Sequence, residues 1–320
     1  MHQPHLEQHR HVHTQLVILK TALVALAFAA CSWSCATGAG PVAPVSDWAL
    51  ASVGAPAAWS VSRGEGVVIA VIDSGIDDTS LPSLHRNDAG RFLWTGSPDN
   101  RVEADPVGHG TAVASIIAED GDLGVTGVAP AAHVISIAVT NEGVGGSASS
   151  LAPAIMLAAR LGATVINLSL GSFADDRATA AAIGTVVARG VIVVAAGGDT
   201  ASGDSLFPAR LPDVIAVQAI GKDGNVGPRA NQIGPNGIQA PGKAVPAIVL
   251  QPQSRIPTAG LDSGSSMAAA IVSGSVALLV SCLRSHDRPV TEKSILGALT
   301  ASTGGGAFFQ LRRAMIDLGC

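Results

Sequence analysis

Apolar residues fall into two kinds of run along this chain. Short unbroken runs rich in β-branched residues, at Val67–Ile72, Ala132–Val139, Thr164–Leu168, Val191–Ala195 and Asp213–Ile220, have the length and composition of strands buried on both faces. Between them lie longer segments that read as helices: His109–Ala118, Ser147–Leu161 and Asp175–Arg189, the last stopping at Gly190, where glycine suits a helix C-terminus. A long apolar helix is expected at Ser265–Leu283 and a shorter one at Thr291–Ala301. Strands alternating with helices imply an α/β fold with a mostly parallel sheet covered on both faces. No internal repeat and no second domain stand out. In such folds the reactive groups lie at the carboxyl ends of strands, and Asp73 sits at the end of the first run.

Composition narrows the function classes. The 320 residues are 48% hydrophobic and only 13% charged, enough for one large core and too apolar for disorder over most of the length. The formal net charge of -5, with no basic block in the body, argues against a nucleic-acid partner. Near the N-terminus, Arg10 and Lys20 precede a ten-residue apolar stretch, Thr21–Ala30, followed by small residues. That stretch is too short to span a bilayer and has the length of a signal h-region. Residues 1–36 are therefore expected to be an export signal and 37–47 a short Gly/Pro/Ala linker. Residues 48–303 would be the folded domain and 304–320 a C-terminal tail. Export makes a Cys282–Cys320 disulfide permissible, with two free thiols as the alternative.

Three islands carry the candidate chemistry. Asp73 lies in VVIAVIDSGID, His109 in GHGTAVASIIA and Ser266 in SGSSMAAAIVSG. A serine hydroxyl is a weak nucleophile at neutral pH and needs a base to take its proton, the role for which imidazole is suited. The imidazole in turn needs a carboxylate to fix its tautomer and stabilise its charged form. Of the four histidines after the signal, His85, His109, His133 and His286, only His109 is flanked by glycines at the start of an apolar helix. Ser266 also opens a helix, where the helix dipole and free backbone N–H groups can face a developing oxyanion. Each residue alone has a plain structural explanation as a cap or turn; the set of three points to acyl transfer.

With these islands on the page, the chain resembles the subtilisin-like serine proteases (subtilases, peptidase family S8). VIDSGID, GHGTAVASIIA and GSSMAAA match the family's Asp, His and Ser motifs in the family's order, with Ala112, Ser115, Ser265 and Ala270 standing where His, Gly, Thr and Pro are usual. GVTGVAP, VINLSLG, VIVVAAGG, DVIAVQAIG and QAPG also have counterparts, so the likeness runs from about Trp48 to Ala301. It implies a subtilisin-like three-layer α/β/α fold and an exported, monomeric serine endopeptidase acting on protein or peptide through an acyl-enzyme. Asp73, His109 and Ser266 would be its triad. It implies that Ser169, Leu170 and Gly171 pair with an extended substrate, faced by Gly145 and Gly146, and that Ala195, Ala196 and Gly197 wall a roomy, uncharged pocket for the residue before the scissile bond.

Two departures change the expectation. The family usually has Asn after Ala-Ala-Gly, its amide completing the oxyanion hole; here that position is Gly198, followed by Asp199. Losing that donor costs roughly 10²–10³ in turnover, a figure that comes from a member of this same family. The Ser266 backbone N–H would remain, a water or another side chain such as Asn231 or Gln232 could substitute, and a Gly198→Asn change is expected to raise turnover. A peptide-binding pseudoprotease is the alternative function. Secreted members also carry a folding-assisting segment, whereas about a dozen residues separate Ala36 from Trp48, too few for a folded unit. Unaided folding, a partner in trans, or an activity too low to need an inhibitor would each answer this. No cofactor is required. Asp77-Asp78 and Glu119-Asp120-Gly121-Asp122 are carboxylate sets that could hold a stabilising Ca²⁺, without specific ligand spacing. Phe28-Ala29-Ala30-Cys31 resembles the approach to a lipoprotein cysteine, with Phe28 where Leu is usual. A lipid anchor at Cys31 in an outer membrane is thus a second version of an otherwise periplasmic or extracellular location.

Overall fold

In the computed structural model, residues 47–77, 88–93, 105–121, 123–140, 148–251 and 254–320 are described. The proposed signal, Cys31, nearly all of the linker, Gly145, Gly146, Asp78 and Asp122 lie outside them. Two short helices, α1 (Trp48–Val53) and α2 (Ala55–Ala58), lead into β1 (Val68–Asp73). Then follow β2 (Asp88–Leu93), α3 (His109–Ala118), β3 (His133–Ala138), α4 (Ala148–Arg160), β4 (Val165–Leu168), α5 (Arg177–Val187), β5 (Ile192–Ala196) and β6 (Ile215–Ile220). The rest comprises β7 (Gly237–Pro241), a hairpin of β8 (Val245–Leu250) and β9 (Pro257–Asp262), and helices α6 (Ser265–Ser285), α7 (Glu292–Ser302) and α8 (Leu311–Asp317).

Seven of the described strands form one sheet in the order β2-β3-β1-β4-β5-β6-β7, every pair parallel. The three layers follow from the period of two along each strand. Ile69 and Val71 of β1, Val165 of β4 and Val194 of β5 point into one cluster with α3 and α6. Their neighbours Ala70, Ile72, Ile166 and Val193 point into a second cluster with α4 and α5. Both faces being dry explains why the strands read as unbroken apolar runs rather than as alternation.

The connection from β3 to β4 passes over β1, so the strand order reverses there. That switch point is where a parallel sheet leaves a crevice at its carboxyl edge. Asp73 ends β1, and Ser169 lies one residue past β4. Helix α6 runs under the sheet from that same edge. It is long and apolar enough to cross a membrane, yet 94% of its most apolar window is buried, so it is the core helix of this domain.

The sequence did not predict β2, β7 or the β8–β9 hairpin. β7 carries Gly237 and Pro241, β8 carries Pro246, and β9 is PTAGLD; such residues are tolerated at sheet edges and in separate ribbons but blur the apolar signal. The hairpin is hooked to α3 by Ile248 N–H donating to Ser115 Oγ at 2.9 Å, a contact that gives the unusual serine at 115 its purpose. Residues 304–320 carry α8, and Phe309, Leu311, Ala314 and Met315 are fully buried in the same core as α6. Cys320 is disulfide-bonded to Cys282, which ties the end of the chain to α6.

Candidate active site

The Asp73 carboxylate is buried at the end of β1, 3% exposed. Its Oδ1 faces Nδ1 of His109 at 2.8 Å and accepts from Ser74 N–H at 2.7 Å and Ser74 Oγ at 3.2 Å. Its Oδ2 is buried with no hydrogen-bond partner among the described residues. Ser74 Oγ in turn accepts from Gly110 N–H at 3.0 Å, so the strand carrying the acid is fastened to the helix carrying the imidazole. Gly110 is required here: a Cβ at that position would sit 2.1 Å from the Gly75 carbonyl oxygen.

Helix α3 starts at His109 with Gly108 at the N-cap, in the left-handed region and without a capping side chain. Asp105, a fully buried carboxylate, accepts from N–H groups just before and within this first turn, while the Gly110 N–H goes to Ser74. Asp105 Oδ1 accepts from Val107 and Gly108 N–H at 3.1 and 2.8 Å, and Oδ2 from Thr111 N–H and Oγ1 at 2.9 and 2.8 Å. An anion at a helix N-terminus is favourable, and this one sets the height of His109 over Asp73. Sequence reasoning missed Asp105; its one signal was a carboxylate three residues ahead of the Gly-His-Gly turn.

Burial pulls the His109 pKa down, but the Asp73 charge and its hydrogen bond, with weaker help from Asp262 and Asp105, more than reverse this and raise it to about 9. The ring is therefore an imidazolium at neutral pH in the unliganded protein.

Ser266 is partly exposed at the second position of α6. Its Oγ donates to the Ser169 carbonyl at 3.1 Å, and Ser169 Oγ donates back to the Ser266 carbonyl at 2.9 Å. Asn167 joins this pair: its Nδ2 donates to Ser169 Oγ at 2.9 Å, and its Oδ1 accepts from Ser273 Oγ at 3.0 Å. These bonds lock the end of β4 to the first three turns of α6. Among the described residues no hydrogen bond joins Ser266 to His109. Catalytic hydrogen bonds in unliganded sites are often long or misaligned, and a turn about χ1 redirects a serine hydroxyl.

The first N–H groups of α6 show what can hold an oxyanion. Ser265 N–H donates to Asp199 Oδ2 at 2.7 Å, and Met267 and Ala268 N–H return to the Gly264 carbonyl at 3.2 and 3.3 Å. The Ser266 N–H alone of these four has no partner among the described residues. Asp199 also accepts from Ser265 Oγ at 2.8 Å, so its carboxylate serves as the cap that Gly264 cannot supply.

The residue expected to complete the hole does not do so by another route. Gly198 has φ +110°, and a Cβ there would lie 2.8 Å from Asn231 Nδ2 and 2.8 Å from Leu206 Cγ, pointing into packed atoms. Asn231, a sequence candidate for substitute donor, is buried and occupied. Its Nδ2 donates to Ser202 Oγ and the Asp204 carbonyl, and its Oδ1 accepts from Thr200 N–H and Oγ1. Gln232 is exposed and contributes its main chain to the 203–205 segment. The expectation that Asn at 198 would raise turnover is therefore replaced by the opposite one. Gly198→Asn forces a side chain onto a left-handed backbone and into Leu206, costing about 1–3 kcal/mol; a thermal melt should show the loss, with no gain in kcat.

Leu170 and Gly171 make no backbone hydrogen bonds among the described residues, which leaves an open edge beyond β4. Ser169 beside them is buried and works through Ser266 as described. Ala195 and Ala196 are buried at the end of β5, and Gly197 donates to the Val217 carbonyl at 2.8 Å. The Leu206 side chain lies against both Gly171 and Gly198, where an added Cβ would meet it at 2.9 and 2.8 Å. Of the calcium candidates, the Asp77 carboxylate faces Arg255 at 3.9 Å and Glu119 is fully buried at the end of α3. Cys282, His286 and Cys320 are close enough to share a metal ion, but both sulfurs are joined in the disulfide.

Comparison with known proteins places this geometry. A family model described as the subtilase family matches residues 64–310. Subtilisin Savinase of Lederbergia lenta is 36% identical over 236 residues, covering 72% of this chain and 83% of that protein. An alkaline protease of Shouchella clausii is 36% identical over the same share of this chain but 59% of its own length. Subtilisin E of Bacillus subtilis (strain 168) is 34% identical over 67% of this chain and 55% of its own. The chain thus spans somewhat more than half of these last two. Among solved structures, the prenylagaramide maturation protease PagA superposes with a TM-score of 0.68 at 29% identity, covering 83% of this chain and 98% of that one.

Proposed function

The chain belongs to the subtilase family of serine proteases, and from that premise we propose that it is an exported endopeptidase acting through Ser266, His109 and Asp73. The observation that carries this reading is the 2.8 Å contact between the buried Asp73 carboxylate and His109 Nδ1. It leaves Nε2 as the base for Ser266, whose helix start lies at the same sheet edge.

The chemistry runs in two halves. Ser266 Oγ attacks the scissile carbonyl while His109 Nε2 takes its proton. The tetrahedral oxyanion is held by the Ser266 N–H. The C–N bond then breaks, His109 returns the proton to the departing amine, and an acyl-enzyme remains. Water, deprotonated by the same imidazole, attacks the ester; the bond from the acyl carbon to Ser266 Oγ breaks, His109 returns the proton to that oxygen, and the acid leaves. No metal or cofactor enters any step. Leu170 and Gly171 receive the substrate by β-strand addition, with Ala195–Gly197 opposite. The N-terminal segment directs export, and the enzyme acts as a monomer on protein or peptide.

Because, among the described residues at this helix start, only the Ser266 N–H is left for the oxyanion, turnover is expected to be slow for the family. That single donor is also what favours the alternative of a peptide-binding pseudoprotease. Incubation with an unfolded polypeptide separates them: new N-termini that accumulate beyond one per enzyme, insensitive to a chelator, support the protease. Binding without cleavage supports the alternative.

The His109 shift gives a pH prediction. A pKa raised to about 9 means the base is protonated below that value, so kcat/KM rises with pH and levels off only above about 9. A limb at the ordinary imidazole value, near pH 6.5, would show that Asp73 does not hold the charge in the way the contact implies.

A further inference from the structure

We propose that Arg255 is a positioning residue for the triad: its guanidinium fastens together the three segments that carry Asp73, His109 and Ser266. The inference rests on the protease reading above. Arg255 lies at the tip of the β8–β9 hairpin, two residues before β9, and β9 leads through Ser263 and Gly264 straight into the helix that carries Ser266. Its backbone has φ +57°, in the left-handed region that glycine enters freely and other residues rarely. The main chain closes the tip without help from the side chain: Arg255 N–H donates to the Gln251 carbonyl at 2.9 Å, and Gln251 N–H to the Ile256 carbonyl at 3.1 Å. Glycine would make this turn with less strain, so an arginine here is explained by what its side chain reaches.

It reaches the loop that leads into His109. Nη2 donates to the Asp105 carbonyl and Nη1 to the Pro106 carbonyl at 3.1 Å. Asp105 is the residue whose carboxylate accepts from Gly108 and Thr111 N–H around the start of α3. Nη2 also faces Asp77 Oδ2 at 3.9 Å, and Asp77 lies four residues past Asp73. Asp77 N–H donates to Thr111 Oγ1 at 3.0 Å, and that hydroxyl donates to Asp105 Oδ2 at 2.8 Å. The circuit therefore closes: Arg255 to Asp105, Asp105 to Thr111, Thr111 to Asp77, and Asp77 back to Arg255. Both acids are buried, and a planar guanidinium with several donors can serve two carbonyls and a carboxylate at once. Ile248 N–H on Ser115 Oγ holds the middle of β8 to α3, so Arg255 fixes the part of the hairpin that this bond leaves loose.

The tie matters because acid and imidazole are in contact while imidazole and serine are not. Base and nucleophile sit on separate segments, and Arg255 spans the loop before one and the strand before the other. A loosened clamp lets them drift apart, and a misplacement of about 1 Å can cost roughly 10²-fold in rate.

The test uses Arg255→Gly, which relieves the backbone and removes only the guanidinium, beside Arg255→Lys, which keeps the charge without the fork. On a peptide anilide, kcat of the glycine variant should fall about 10–100-fold with KM held within about twofold, since positioning is lost and substrate binding is not. The lysine variant should fall between it and the wild type, and it carries the same readings if the glycine variant fails to fold. Hydrogen exchange in Ser266→Ala proteins, with and without Arg255→Gly, reads the clamp without turnover. Peptides covering residues 105–112 should exchange faster in the double variant, while those covering β4 and β5 keep their protection. Wild-type kcat in Arg255→Gly, or a fall in kcat without faster exchange at 105–112, would overturn the proposal and leave Arg255 as a surface residue of the hairpin. Faster exchange at 105–112 alongside a wild type that cleaves no anilide would leave the clamp standing and overturn the protease reading instead.

Discussion

Ser266→Ala is expected to reduce kcat by at least about 10³–10⁴ while leaving substrate affinity nearly unchanged. In a subtilisin, a member of this same family, loss of the serine costs about 10⁶. On the reading that one oxyanion donor is missing, the wild type would start roughly 10²–10³ lower, which is why a smaller fall is expected here. The structural cost should be small. Ser266 Oγ donates one hydrogen bond, to the Ser169 carbonyl, and the reciprocal bond from Ser169 to the Ser266 main chain survives the change. The melting temperature should therefore hold within a few degrees, so that lost turnover reports chemistry and not unfolding. Steady-state kinetics on a peptide anilide, with a parallel thermal melt, checks both.

Asp73→Asn is expected to cost at least about 10²–10³ in kcat/KM, loss of this acid costing roughly 3 × 10⁴ in kcat in a member of this same family, and to move the pH limb toward acid. Oδ1 accepts from His109, Ser74 N–H and Ser74 Oγ, so an asparagine must place its carbonyl oxygen there. Its NH₂ group then takes the place of Oδ2, buried with no hydrogen-bond partner among the described residues. The geometry of the imidazole survives, but the charge that stabilises the imidazolium is gone. Burial, the influence that lowers the His109 pKa, is then opposed only by Asp262 and Asp105. The limb should fall well below 9. The loss and the shift should appear together, because one carboxylate is the source of both. Since the three residues act as a unit, the Asp73→Asn, Ser266→Ala double variant should be no slower than Ser266→Ala alone.

The parts of this site that could be read in the sequence are those whose signal is local. The helix expected at His109–Ala118 has those bounds in the structure because a glycine turn and an apolar run mark both ends within ten residues. Asp73 falls at a strand end because β1 is buried on both faces and stops where the polar residue appears. What stayed hidden depends on residues distant along the chain. Asp199 caps a helix that begins 66 residues later, and Asn231 is committed to a loop 27–31 residues earlier. Leu206 looks like any apolar loop residue until Gly171 and Gly198 are brought against it. The Gly198 substitution, read in sequence as a missing amide awaiting repair, is in three dimensions a position that only glycine fits.

The Asp, His and Ser islands therefore have a defined geometry on one side, acid to imidazole, and an unformed contact on the other, imidazole to serine. The direct test is covalent labelling with a fluorophosphonate probe, followed by mapping of the modified residue by mass spectrometry. An activated nucleophile predicts one label per chain, on Ser266, forming faster as pH rises toward 9 and absent from Ser266→Ala. A wild-type chain that takes no label, or takes it equally when Ser266 is replaced, would contradict the assignment.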